Sequence, residues 1–314
     1  MKRSVNSRRR WTRAGVVLGL LLLTVTVVLL LRAGAADWLK ELLALTDFPL
    51  SPKPRAFGWF HLASVGVCLL LTAGAVLLAW RIPSARCAEA TDRTVFACGV
   101  TFALLELYKQ LYCFFVIGNG FYDYSIFPFQ FCSLPIYFCL LVPLLPAGRL
   151  KSACLAFLAL FGTVGGYLVI GYPSFPDRLS LCLHTMLWHS LMIALGAFLL
   201  VAGNWRAGTW RESFRRDYLP PAVIFFCMLG LATLLNVALE PLTVHSPGVL
   251  NLFYMSPYHP TYFFIISDVQ QHFGWPASML CYALMFLILG ALPLWLLGRW
   301  LAKWRGKRDS EAEK

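Results

Sequence analysis

Charge is what this sequence has least of: only 13% of its 314 residues are Asp, Glu, Lys or Arg, while 59% are hydrophobic and the mean hydropathy is +0.67. Soluble domains run near roughly 25% charged and 45–50% apolar, so a water-soluble globule is excluded. The chain also lacks an internal repeat, a Walker sequence, a zinc-protease motif and a glycine-rich nucleotide loop. Those absences disfavour ATP-driven transport. A disulfide framework is missing too: of 10 cysteines, Cys87 falls between apolar runs and the rest fall within them. They read as small apolar packers.

What the sequence does have is long apolar runs. Eight stretches, near 14–32, 58–80, 94–118, 128–147, 152–171, 179–202, 219–240 and 275–298, approach the roughly 20 residues that cross a hydrocarbon core as a helix. The expectation is an all-α, polytopic transmembrane bundle over 14–298, with a basic N-terminus (1–13) and a basic tail (299–314). Glycines dilute the runs at 58–80 and 152–171, which makes them the weakest of the eight. If the first run were removed as a signal sequence, cut near Ala36, seven would remain, although it is longer than a signal core and reads better as an anchor.

Basic residues give the orientation. With the N-terminus inside and spans alternating, the inside segments carry 6, 3, 2, 4 and 6 Lys or Arg, whereas the outside ones share Arg32, Lys40, Lys53, Arg55 and Arg178. This asymmetry predicts both termini in the cytoplasm and a multi-pass membrane protein. The net charge of +12 is then a topology signal, with the lipid bilayer as partner and no footprint for nucleic acid.

Polar residues at membrane depth are costly unless paired or facing water, so they carry the functional information. In "LLELYKQLYC", Glu106, Lys109 and Gln110 are spaced i, i+3, i+4 and share one helix face, as a structural ion pair or as the lining of a polar cavity. In "FPFQFCSLPIYF", Gln130 and Cys132 sit in the first turns of the fourth run. There Pro135 cannot donate to the Phe131 carbonyl, which predicts a kink and a free acceptor beside the thiol. "LCLHTMLWHSLMI" brings His184 and His189, five residues apart and about 140° from each other around a helix. His189 lies near mid-membrane, beside Trp188 and Ser190, on a stripe with Cys182 and Thr185.

A cysteine and a histidine are the minimum for nucleophilic acyl chemistry, since the imidazole deprotonates the thiol and the thiolate attacks a carbonyl. Residue types alone leave many pairings among the membrane cysteines and the two histidines. A metal site built from Glu106, His184, His189 and a cysteine has no diagnostic spacing, and no cofactor is implied. The last outside loop, Pro241 to Gly274, has no Lys or Arg but holds His245, His259 and His272. Its aromatic core "NLFYMSPYHP", with Asn251, Tyr254 and His259, reads as an interfacial belt or a lid.

Taken together, "FPFQFCSLPIYF", "HTMLWHSLMIALGAFLL" and "NLFYMSPYHPTYFF" resemble the YwaF-like integral membrane proteins, which belong with eukaryotic transmembrane protein 164. The resemblance covers roughly 94–298. It implies an acyltransferase that moves fatty acyl groups between glycerophospholipids, with the family's catalytic cysteine on Cys132 and its histidine on His189. Many relatives have a histidine two residues before the cysteine, where this chain has Gln130. Glu106 or Gln110 would orient the imidazole, Lys109 would pair with a phosphate headgroup, His184 would substitute for the missing histidine, and membrane lipids would be donor and acceptor.

Two other classes compete. A transporter would use the Glu106/Lys109 cluster and the histidines as a relay, although there is no inverted repeat. A scaffold would use the same cluster as helix glue. One geometric difficulty attends the catalytic reading: Cys132 falls near the end of its run and His189 near the middle of its own.

Overall fold

The computed structural model describes residues 2–32, 34, 37–83, 86–203, 210–298 and 300. The basic tail expected at 299–314 lies outside them apart from residue 300. The elements, in order, are α1 (Lys2–Arg32), α2 (Asp37–Ala44), α3 (Trp59–Arg81), α4 (Cys87–Tyr112), α5 (Leu134–Leu141), α6 (Arg149–Phe157), α7 (Thr163–Gly171), α8 (Leu179–Ala202), α9 (Trp210–Ser213), α10 (Leu219–Leu239), α11 (Phe264–Phe273) and α12 (Trp275–Pro293). Single π-turns extend α4 over Cys113–Ile117 and join α6 to α7 over Leu158–Gly162.

Seven helices among the described residues are long and apolar enough to cross a membrane. Aliphatic side chains such as Leu62, Leu70, Leu234 and Ile288 on α3, α10 and α12 point outward and stay exposed, as a lipid-facing surface requires. The protein is a multi-pass membrane helix bundle.

The run at 128–147 differs from expectation. It forms only a short apolar helix, Phe131–Leu144, whose 14 residues rise roughly 21 Å. Prolines divide it: a 3-10 turn (Phe131–Ser133) precedes α5, and another (Val142–Leu144) follows with Pro143 in it. Pro135 therefore stands in the first turn of α5, where its missing N–H costs nothing. The expected free acceptor is not free, because the Leu134 N–H donates to the Phe131 carbonyl.

The run at 152–171, diluted by glycine, turns out to be central. α6 and α7 are mostly buried, and Gly165 and Gly166 of α7 sit close against neighbouring elements. A Cβ on Gly166 would lie 2.7 Å from Ile193 Cγ1 and 3.0 Å from the His189 carbonyl, and one on Gly196 would overlap Thr163 Oγ1 at 1.7 Å. Small residues let α7 and α8 approach backbone to backbone, as membrane helices without a hydrophobic drive between them must. Gly99 does the same for α4, where a Cβ would lie 2.8 Å from the Cys139 backbone of α5.

α8 is the hub of the bundle, packing on α3, α4 and α7. The long basic α1 stays outside and is tied down by charge. Arg9 pairs with Glu89, Arg13 lies 3.6 Å from Asp92, and Asp92 is also held by Lys151 at 2.7 Å.

Candidate functional site

Two stretches of irregular backbone, 118–130 and 249–263, fold against the buried core at one end of the bundle. Irregular backbone at membrane depth must find partners inside the protein. Carboxamides supply them. Gln110 on α4 donates to the Ile126 carbonyl at 2.7 Å and to Glu106 Oε1 at 2.7 Å, while Tyr122 donates to its oxygen at 3.0 Å. Gln130 joins the two stretches, donating to the Asn251 carbonyl at 3.0 Å and accepting from the Phe253 N–H at 2.8 Å. Asn236 on α10 holds both backbone groups of Leu252, at 3.1 and 2.7 Å. Asn251 closes its own turn, donating to the Pro260 carbonyl and accepting from the Ser256 N–H, both at 2.9 Å.

These bonds account for most of the polar residues singled out in the sequence. Gln110, Gln130 and Asn251 hold backbone. His259 pairs with Glu240 at 2.9 Å while Gln270 binds the His259 carbonyl, so this part of the loop is pinned to the end of α10. Lys109 pairs with Glu106 Oε1 at 2.8 Å. Neither Glu106 nor Gln110 hydrogen-bonds an imidazole.

Four buried side-chain atoms among the described residues have no hydrogen-bond partner: Glu106 Oε2, Ser180 Oγ, His184 Nε2 and His189 Nε2. Each such group costs about 1–3 kcal/mol, so these four need a reason. His189 is the most informative. Its Nδ1 lies 2.7 Å from the Thr185 carbonyl, and a carbonyl only accepts, so Nδ1 carries the proton and Nε2 presents a lone pair. The residue is 7% exposed. His61, equally buried on α3, makes the contrast: its Nδ1 accepts from the Phe57 N–H at 2.8 Å and its Nε2 donates to the Ile170 carbonyl at 2.8 Å. His61 is a satisfied structural histidine; His189 is not.

The cysteine-bearing turn is bound to the helix of His189. Trp188 Nε1 donates to the Cys132 carbonyl at 2.9 Å, and the Trp188 ring packs on Phe102 and stacks on His184 with centroids 4.8 and 5.3 Å apart. Irregular backbone, and not helix, leads into Cys132, and the thiol-bearing turn meets α8 at Trp188, the residue before the buried His189. Around this turn the charge of Lys109 is felt at Cys132, His184 and His189, and Tyr254 and Tyr282 lie within electrostatic reach of Cys132. Phe253 and Tyr254 are both left-handed, at φ 58° and 57°, in a 3-10 turn beside the cluster. Two consecutive bulky residues in that region are strained, and strain of this kind collects at working sites.

Sequence reasoning passed over two residues here. Trp188 was legible only as a neighbour of His189, and Asn236 only as a lone amide in an apolar run. Among the described residues no three of His, Cys, Asp and Glu gather as metal ligands would.

Comparison with known proteins adds one match: the model of the TMEM164 family covers residues 56–302. The match takes in α3, which the three motifs of the sequence do not reach. No curated protein and no solved structure matches the chain.

Proposed function

The chain belongs to the TMEM164 family, and on that premise we propose that it is an integral membrane acyltransferase moving a fatty acyl group between membrane glycerophospholipids through a thioester on Cys132. One observation carries the reading. The Trp188–Cys132 bond ties the thiol-bearing turn to the helix whose next residue, His189, keeps a buried, unprotonated and unpartnered Nε2.

In the first half-reaction the Cys132 S–H proton passes to His189 Nε2, and the thiolate adds to the ester carbonyl of a donor lipid. The tetrahedral adduct collapses by breaking the ester C–O bond, and the imidazolium gives its proton to the departing lysolipid oxygen. The second half runs in reverse order with a new partner. A lysolipid hydroxyl gives its proton to His189, its oxygen attacks the thioester, and the thiolate leaves to recover that proton. Thr185 holds the imidazole as the third member of a triad would, with a backbone carbonyl in place of a carboxylate. Lys109 attracts the headgroup phosphate, and the 249–263 loop with Tyr254 covers the reacting carbonyl.

The Glu106–Lys109–Gln110–Tyr122 network, bonded on to the Ile126 carbonyl, favours a positioning role for that cluster over a relay. The test is transfer of a radiolabelled chain from phospholipid to lysophospholipid by the purified protein in nanodiscs. Wild type should transfer, and Cys132→Ser and His189→Ala should not. Transfer by all three would remove Cys132 from the chemistry. Its absence from a well-folded wild type offered several lipid classes would favour transport or a scaffold.

A further inference from the structure

A second feature lies on the other side of Trp188. Between α3, α4 and α8, closed at one end by the 46–48 segment, is a cavity of about 620 Å³. Its wall is chiefly apolar, from Val67, Leu105, Leu179, Leu183, Met186 and Leu187. Val67, Leu183 and Leu187 are also open to the outer surface of the bundle, so the cavity communicates with the lipid side.

The polar groups on the wall divide into two kinds. Thr46 donates to the Leu43 carbonyl at 2.7 Å and shares a bond with Tyr108 at 2.8 Å, and Ser64 donates to the Phe60 carbonyl at 2.8 Å. His184 Nε2 has no partner, whereas Ser180 Oγ interacts with the Tyr112 hydroxyl. An unpartnered buried ring nitrogen therefore lines this cavity.

From this arrangement we infer that the cavity binds a single-chain amphiphile bearing a free hydroxyl, with its chain along α8 and its hydroxyl on His184 Nε2. The volume suits a ligand of that size, since ligand pockets span roughly 300–1,000 Å³. An apolar wall with a lateral opening selects an aliphatic chain. The Leu105 carbonyl takes the proton of the other ring nitrogen, so the unpartnered Nε2 presents a lone pair and selects a donor, which a hydroxyl supplies and an ester or phosphate oxygen does not. A lysolipid meets both requirements and a diacyl phospholipid without a hydroxyl does not. The inference rests on the acyl-transfer reading for its meaning, as a holding site from which the acceptor passes on to His189, but not for its binding chemistry.

The experiment uses the full-length protein in nanodiscs and a lysophosphatidylcholine carrying a diazirine in its chain. Photolabelling should concentrate on the α8 stretch 179–190 and on α3 near Val67, and Leu183→Trp, which fills the cavity from an outward-facing position, should cut it about tenfold. In competition, a lysolipid with its free hydroxyl should displace the probe about tenfold better than its O-methyl ether, the scale of one lost buried hydrogen bond. In His184→Phe the two competitors should be equal. Cys132→Ala should label like wild type, so the site can stand even if Cys132 never carries an acyl group. Labelling spread evenly over the lipid-facing helices, or competitors that rank equally against wild type, would overturn the inference and leave ordinary annular lipid.

Discussion

Trp188 Nε1 and the Cys132 carbonyl are 2.9 Å apart, and this single hydrogen bond joins a proline-bounded turn to the hub helix of the bundle. Residues 56 apart in sequence are thereby held in register, with His184 stacked on the same indole and His189 next in the chain. The catalytic reading depends on that register.

Trp188→Phe keeps the ring and removes the donor. The Cys132 carbonyl then loses its partner, at a stability cost of about 1–3 kcal/mol, and the thiol-bearing turn loosens. Acyl transfer should fall at least tenfold while the protein still folds, as read by transfer rate alongside thermal midpoint. Unchanged transfer would show that the bond does not position the thiol.

The two buried histidines should respond in opposite ways. His61→Phe orphans the Phe57 N–H and the Ile170 carbonyl, so stability should drop by about 1–3 kcal/mol while the folded fraction retains activity. His189→Phe removes the unpartnered Nε2 and a single bond to the Thr185 carbonyl, so it should lose activity with a smaller drop in midpoint than His61→Phe. Parallel thermal melts and transfer assays of the two variants check this.

The Lys109–Glu106 pair, with Glu106 buried and Lys109 half-buried, should show the asymmetry of ion pairs at low dielectric. Lys109→Met leaves a carboxylate without its cation and should destabilise by about 3–5 kcal/mol, whereas the double variant Lys109→Met/Glu106→Gln should recover most of that loss. A thermodynamic cycle over the four proteins measures the coupling.

Helix crossing through glycine gives a packing test. Gly196→Ala drives a methyl into Thr163 Oγ1, which is itself fixed by a 2.7 Å bond to the Ala159 carbonyl. The substitution should lower the midpoint, and adding Thr163→Ala should restore part of it, since the β-carbon at 163 remains close.

How much of this was legible follows from what each signal measures. Apolar length reports a span's existence, so most of the helices were readable. It does not report prolines that segment a span, and the run at 128–147 therefore proved shorter than its apolar length implied. Glycine content at 152–171 looked like weakness because hydropathy cannot see a helix crossing, yet Gly166 and Gly196 are where α7 meets α8. Residue type pointed to Glu106, Gln110, Gln130 and Asn251, because polar groups at depth must have a purpose. Their purpose became visible only with the partners in place: Gln130 holds backbone more than a hundred residues away, and no periodicity carries that. His189 and His61 are alike as letters, and only the hydrogen bonds on their two ring nitrogens separate them.

The most direct test of the central claim is to look for the intermediate. Protein purified with its lipids in nanodiscs would be quenched in acid, digested and searched by mass spectrometry for an acyl group on Cys132, in wild type and in His189→Ala. The account predicts a hydroxylamine-labile fatty acyl adduct on Cys132 in the wild type and its loss in His189→Ala. Adducts on other cysteines alone, or equal acylation of Cys132 in both proteins, would contradict it.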